Sequence, residues 1–176
     1  MYDHGHHGNA ILSRFAIAHE HNQDITHLRF ERRGLLHCAI TLPQLVQPLH
    51  CVCVHLSLFA RSRRWQLNEL AHYLSDVTPP TAPLLIAGDF NDWRNHAGDI
   101  LAQRLGLHEV FTHSNLHGIT KIARPSRSYP AALPLFRLDR IYQRGLTTIN
   151  AQRHSGPPWS EISDHAALSA TLTTNA

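Results

Sequence analysis

Four short stretches of this chain set residues capable of acid–base or phosphate chemistry where a strand should end. Gly88-Asp89-Phe90-Asn91 places a carboxylate and an amide two residues apart, so both project the same way if the strand continues. That pairing suits phosphoester hydrolysis: Asp89 can orient and deprotonate a water, while the amide of Asn91 can donate to a non-bridging phosphate oxygen without adding like charge beside the base. Taken alone, the same residues also read as a turn closing a strand. Ser163-Asp164-His165 precedes the last apolar stretch. Asp164 is a hard oxygen ligand suited to Mg²⁺ or Mn²⁺, and His165, polarised by a partner carboxylate, can stabilise a phosphorane-like transition state. In Leu138-Asp139-Arg140-Ile141-Tyr142, Asp139 reads either as a salt-bridge partner of Arg137 or Arg140, or as the acceptor for the ring N–H of His165. His55, in Val54-His55-Leu56, lies on the polar face of a strand, where a hydrogen-bonded core histidine is the ordinary reading.

The elements that must position these groups are visible as periodicities. In residues 50–58, Val52, Val54, Leu56 and Leu58 alternate with Cys51, Cys53, His55 and Ser57, which predicts a strand with His55 opposite the valines. Leu67, Leu70, Ala71 and Leu74 follow the spacing of an amphipathic helix over 62–77, which must stop before Pro79 and Pro80. Residues 83–90 form a continuous apolar run, as in a central strand covered on both faces, with the polar groups at its carboxyl end. Further strands are expected at 8–14, 34–42, 107–112, 136–143, 147–153 and 166–173, a short helix at 98–105, and a loop rich in Gly, Ser, Arg and Pro at 113–134. The pattern implies an α/β protein with mixed sheets, one domain over residues 1–176.

Composition is that of a folded chain, 43% hydrophobic and 16% charged. Sixteen Lys and Arg against 13 Asp and Glu give a net charge of +3, which favours an anionic partner only mildly. The arginines are scattered in small groups such as Arg32 with Arg33, without the dense basic stripe of a dedicated nucleic-acid binder. Cys38, Cys51 and Cys53 lie in apolar stretches and read as reduced, buried thiols, which fits a reducing, cytoplasmic setting. No apolar run approaches a membrane span, no export leader is apparent, and no obligate protein partner is indicated.

Taken in order, HCVCVHLSL, LLIAGDFND, RLDRIY and ISDHAALSATL resemble the second half of the endonuclease/exonuclease/phosphatase superfamily, which includes deoxyribonuclease I, abasic-site endonucleases, inositol polyphosphate 5-phosphatases and neutral sphingomyelinases. The opening GNAILSRF resembles a segment lying just after that family's metal-binding glutamate. The resemblance implies a four-layer α/β sandwich, with two mixed sheets face to face, helices outside, and the site at one end. It implies that Asp89 activates the attacking water, Asn91 holds the phosphate, Asp139 orients His165, Asp164 belongs to the metal shell, and His165 and His55 approach the phosphate. Arg124 and Arg127, in the 121–134 loop with Lys121, are the candidate substrate contacts. The expected substrate is a phosphorylated one: nucleic acid, inositol phosphate or a phospholipid head group.

The chain departs from the family at its start. Members begin with a strand ending in an asparagine and follow it with a glutamate, and both bind the metal. Neither has a counterpart here, so the sandwich is expected to be N-terminally incomplete, with an uncovered sheet edge or apolar surface. Met1 is then a misassigned start, a fragment boundary or a truncation. The competing function is a non-catalytic remnant that still binds phosphorylated ligands. A third is a metal-binding module at His4, His6 and His7, although that cluster reads more simply as a polar loop near the phosphate end of the site.

Overall fold

Apolar periodicity and a few prolines account for most element boundaries in the computed structural model, which describes residues 8–94, 96–112, 115–116, 119–120 and 124–174. Along the chain run β1 (Ile17–Asp24), β2 (Gly34–Ile40), β3 (Leu49–His55), α1 (Ala60–Val77), β4 (Leu84–Asp89), α2 (His96–Leu105), β5 (His108–Glu109), β6 (Asn115–Leu116), β7 (Ile119–Thr120), β8 (Asp139–Arg144), β9 (Leu146–Arg153), α3 (Trp159–Ile162) and β10 (Leu168–Thr174). The expected α/β class holds. One mixed sheet has six strands in the order β1-β2-β3-β4-β8-β5; β9 and β10 form a second, two-stranded antiparallel sheet; β6 and β7 form a short hairpin pair.

β3 and β4 run parallel, joined by α1. The helix closes where Thr78 donates its amide to Leu74 O at 3.0 Å, and Pro79 and Pro80 offer no further backbone donors. Its apolar stripe, Leu67, Leu70, Ala71 and Leu74, packs with Val52, Val54, Leu84 and Ile86 of the sheet and with Leu101 and Leu105 of α2. Each leucine buried this way contributes about 1.5–3 kcal/mol.

Several sequence expectations are corrected. Residues 8–14 form no strand; Asn9 instead ties this segment to β2 by donating to Gly34 O at 2.7 Å. The expected strand at 107–112 shrinks to β5, because the Glu109 carboxylate accepts the amides of Phe111 (2.9 Å) and Thr112 (3.0 Å) and turns the chain. β4 is covered on one face among the described residues: Leu84 and Ile86 are buried, whereas Leu85 and Ala87 are partly exposed. β1 and α3 were not anticipated, nor were β6 and β7, which fall within the 113–134 stretch read as loop. β1 reads IAHEHNQD, an edge strand held by pairing with β2 and largely exposed.

Cys38 and Cys51 are register partners on β2 and β3, and all three cysteines are free thiols. Burial raises their pKa values, that of Cys51 to about 12, which disfavours thiolate chemistry. Among the described residues no helix is long and apolar enough to cross a membrane.

Candidate active site

The sheet register itself assembles the chemistry. His55 ends β3 and Asp89 ends β4, and these two are register partners. Asp89 also pairs with Asp139, which begins the antiparallel β8. Three neighbouring strands therefore present His55, Asp89 and Asp139 in one row at one end of the sheet. Residues 163–165, just before β10, close the row from the side: Ala131 donates its amide to Asp164 O and Ala166 to Ser128 O, both at 2.7 Å.

The turn after β4 depends on two unusual backbone conformations. Gly88 has φ +142°, and a Cβ there would stand 2.0 Å from the carbonyl oxygen of Val54, so only glycine lets β4 lie this close to β3. Asn91 has φ +49°, in the left-handed region that asparagine tolerates. The chain thus leaves the extended conformation after Phe90, and the simple two-apart geometry expected from the sequence does not apply. Asn91 is held to Asp89 by hydrogen bonds instead. Its backbone amide donates to Asp89 Oδ1 at 2.8 Å, and its side-chain nitrogen donates to Leu56 O at 3.0 Å and to Asp89 Oδ2 at 3.3 Å.

The sharper sequence reading of Asp139 is correct: its Oδ2 accepts from His165 Nδ1 at 2.7 Å. That bond raises the His165 pKa against the opposing effect of burial. His165 therefore takes up a proton more readily than an ordinary imidazole, and its Nε2 has no hydrogen-bond partner among the described residues. His55 Nε2 lies 3.6 Å from Asp89 Oδ2, yet burial lowers the His55 pKa and raises that of Asp89. Both shifts favour the neutral forms, so this contact is a poised polar pair rather than a strong ion pair. A buried carboxylate with a raised pKa is a better base than a solvated one.

His55, Asp89, Asn91, Asp139, Asp164 and His165 all line one cavity of about 630 Å³. Arg124 and Arg127 do not; both are exposed, and they sit close enough to Arg137 to lower its pKa. His4, His6, His7 and Lys121 lie outside the described residues. The cavity also contains groups that sequence reasoning missed. Arg33 lines it, held by donating Nη2 to Glu31 Oε1 at 3.0 Å, while Glu31 accepts from Ser57 Oγ and from the Leu58 amide at 3.3 Å. The Nε of Arg33 is buried without a partner among the described residues, and the Arg33 charge adds to burial in lowering the His55 pKa. Trp93, Tyr129 and Phe136 form an aromatic wall: Trp93 meets Phe136 at 5.3 Å, and Tyr129 lies against His165 at 4.9 Å. Behind the site, buried Arg140 donates to Asp92 O at 2.9 Å and to Asp139 O at 3.1 Å, pinning the turn after β4 to the start of β8. A second cavity of about 530 Å³, between α1 and α2, contains none of this row.

Asp164 is the exposed carboxylate at the cavity, since Asp139 is committed to His165 and Asp89 to Asn91. Among the described residues, no three carboxylates, imidazoles or thiols converge to hold a metal ion.

Comparisons with known proteins bear on the family and the fold. The family model described as the endonuclease/exonuclease/phosphatase family matches residues 1–165. YbhP of Escherichia coli K12 is 42% identical over 172 residues, covering 98% of this chain and 65% of YbhP, so the chain spans about two thirds of that relative's length. Among solved structures, the human nocturnin catalytic domain with a bound sulfate anion superposes with TM-score 0.73 at 19% identity, covering 92% of this chain and 61% of that one. A mannosyl-6-phosphatase from Bacteroides thetaiotaomicron superposes with TM-score 0.68 at 12% identity, covering 90% and 67%. Sequence, fold and the strand-end row thus converge, and the chain belongs to the endonuclease/exonuclease/phosphatase family.

Proposed function

We propose that the cavity hydrolyses a phosphoester by in-line attack of water. The observation that carries this reading is the His55–Asp89–Asp139 row facing His165 in one cavity. Asp89 takes the proton of the attacking water. His165, held charged by Asp139, donates from Nε2 to a phosphoryl oxygen, and His55 approaches from the other side. Asn91 donates to the phosphate by exchanging its longer bond, 3.3 Å to Asp89, for one to the substrate. Arg33 supplies a further guanidinium, already oriented by Glu31. Arg124 and Arg127, outside the cavity, meet parts of a substrate beyond the scissile phosphate. The alternative of a binding-only protein uses the same cation and amide donors but predicts no turnover.

A divalent ion, Mg²⁺ or Mn²⁺, would supply positive charge to this chemistry when bound. Asp164 would supply one oxygen ligand, and the described residues do not complete a set around it. The three free thiols support assigning the chain to a reducing, cytoplasmic setting. The deciding experiment is a hydrolysis panel of plasmid DNA, an abasic oligonucleotide, inositol phosphates and sphingomyelin with Mg²⁺ and with Mn²⁺. Failure of every member with folded protein favours the binding-only reading.

Two variants probe the roles. Asp139→Asn weakens the bond that keeps His165 protonated, so the His165 pKa falls. An activity that needs the imidazolium is then lost at lower pH, and the alkaline limb of the kcat/KM profile moves downward. An unchanged limb would make Asp139 a structural residue. Arg33→Met is expected to raise KM about tenfold with a smaller effect on kcat, and Arg33→Lys to restore part of it, because lysine keeps the charge without the fork. Steady-state kinetics on the best panel substrate checks both.

A further inference from the structure

Three exposed apolar side chains, Leu58, Trp93 and Phe136, line the cavity, and further exposed apolar residues adjoin them. On one side Leu58 lines the opening, and its neighbour Phe59 meets Phe30 edge-on at 6.1 Å. On the other, the wall of Trp93 and Phe136 continues into Leu133 and Leu135 of the loop that returns from Tyr129, where Leu135 donates its amide to Tyr129 O at 2.8 Å. Their exposures are Phe30 77%, Leu58 57%, Phe59 52%, Trp93 54%, Leu133 68%, Leu135 51% and Phe136 40%. Exposed apolar residues scattered singly are ordinary; a cluster around one opening is not.

Cations are interleaved with these tips. Arg29 and Arg32 flank Phe30 in sequence, Arg61 follows shortly after Phe59, and Arg94 follows Trp93; all four are exposed. Of the acids nearby, Asp89 and Asp139 are inside the cavity and Glu31 is held by Ser57 and Arg33, which leaves Asp164 as one exposed carboxylate at the opening against these four guanidiniums. Apolar tips that can enter the boundary between head groups and acyl chains, beside guanidiniums that can meet lipid phosphates, are complementary to an anionic bilayer surface.

We propose that this rim docks the protein on an anionic phospholipid surface and presents the cavity to a phosphoester at head-group level. The docking stands on the rim alone; the identity of the substrate rests on the hydrolase reading. Single-stranded nucleic acid would use the aromatic members as stacking platforms. It would leave Leu58, Leu133 and Leu135, which have no π-face, without a role, and for that reason the lipid surface is the better fit.

The test is co-sedimentation of the 176-residue chain with phosphatidylcholine vesicles, with and without phosphatidylglycerol. The chain should bind the anionic vesicles, bind neutral ones weakly and release on raising salt. The double variant Leu133→Ser, Leu135→Ser should lose about tenfold or more in vesicle affinity. It should keep its circular dichroism and its hydrolysis of a soluble phosphoester. Trp fluorescence should shift blue on binding, and Trp93→Phe should remove most of that shift. No binding to anionic vesicles, or equal binding by the leucine variant, would overturn the proposal. So would a solution dimer that the leucine pair dissociates, which would make the rim a contact with a second copy, or loss of single-stranded DNA binding by that variant without vesicle binding. Vesicle binding without turnover on any phosphoester would leave docking in place and remove the hydrolase reading.

Discussion

Replacing Asp89 with asparagine is expected to lower turnover by about 10²- to 10⁴-fold, the usual share of a positioned general base, while leaving the fold intact. The substitution keeps the shape of the side chain, and its Oδ1 still accepts the Asn91 amide that now bonds at 2.8 Å. What disappears is basicity. Stability at neutral pH should change little, because burial raises the Asp89 pKa in the folded state while the amide gives up the weak 3.3 Å bond accepted from the Asn91 side chain. A carboxyl whose folded pKa lies above its unfolded value costs stability once pH climbs past the unfolded value, and the neutral amide lifts that cost. The measurements are kcat on the panel substrate and the melting temperature at pH 7. Retained turnover would remove Asp89 from the role of base. A collapse of Tm would show that its charge is needed for folding.

Gly88→Ala is expected to destabilise the fold severely. The added carbon would stand 2.0 Å from Val54 O and 2.9 Å from the carbonyl carbon of the same residue, both backbone atoms of the adjacent central strand. Neither can swing aside as a flexible side chain would. The φ of +142° also lies where L-residues are strained. Relief requires β4 to move away from β3, which breaks the parallel ladder next to the His55–Asp89 pair. We expect a loss above about 4 kcal/mol, enough to unfold a marginally stable domain. Chemical denaturation and soluble yield check it. A folded variant with native Tm and activity would show that the strands tolerate separation at this level.

How much of this was legible beforehand differs by element for physical reasons. The helix under β3 and β4, and the row ending in His55, Asp89 and Asp139, follow from alternation and from polar residues placed at strand ends, signals carried by adjacent positions. The pairing of Asp139 with His165 needed only two complementary groups. β1 carried no such signal: its histidines, glutamate and amides gain strand geometry from pairing with β2, a tertiary effect that overrides local preference. Arg33 was equally hidden. It sits beside the chemically identical Arg32, and what directs one of the two into the cavity is Glu31, anchored across the fold on Ser57 and Leu58. Of the aromatic wall, Tyr129 lies in a stretch read as loop and Phe136 at the start of one read as a strand, and the two form an isolated bridge too short to leave a periodic trace. The left-handed Asn91 shows the limit of assuming that a strand continues.

The row of three residues at one register level has a consequence for how such a protein can diversify. His55, Asp89 and Asp139 belong to strands whose alignment is dictated by the whole sheet. Arg33, Trp93, Tyr129 and Phe136 belong to connections between elements, where insertions and exchanges are tolerated. On the proposed hydrolase reading, the groups for hydrolysis and those for substrate choice would therefore be inherited on separate parts of the chain. A descendant could exchange the wall or the guanidinium for other side chains and address a different leaving group without touching the register. Shifting the row to another register level would require realigning three strands at once. Among relatives, the loops are the place to look for divergence in what is cleaved, and the strand ends for constancy in how.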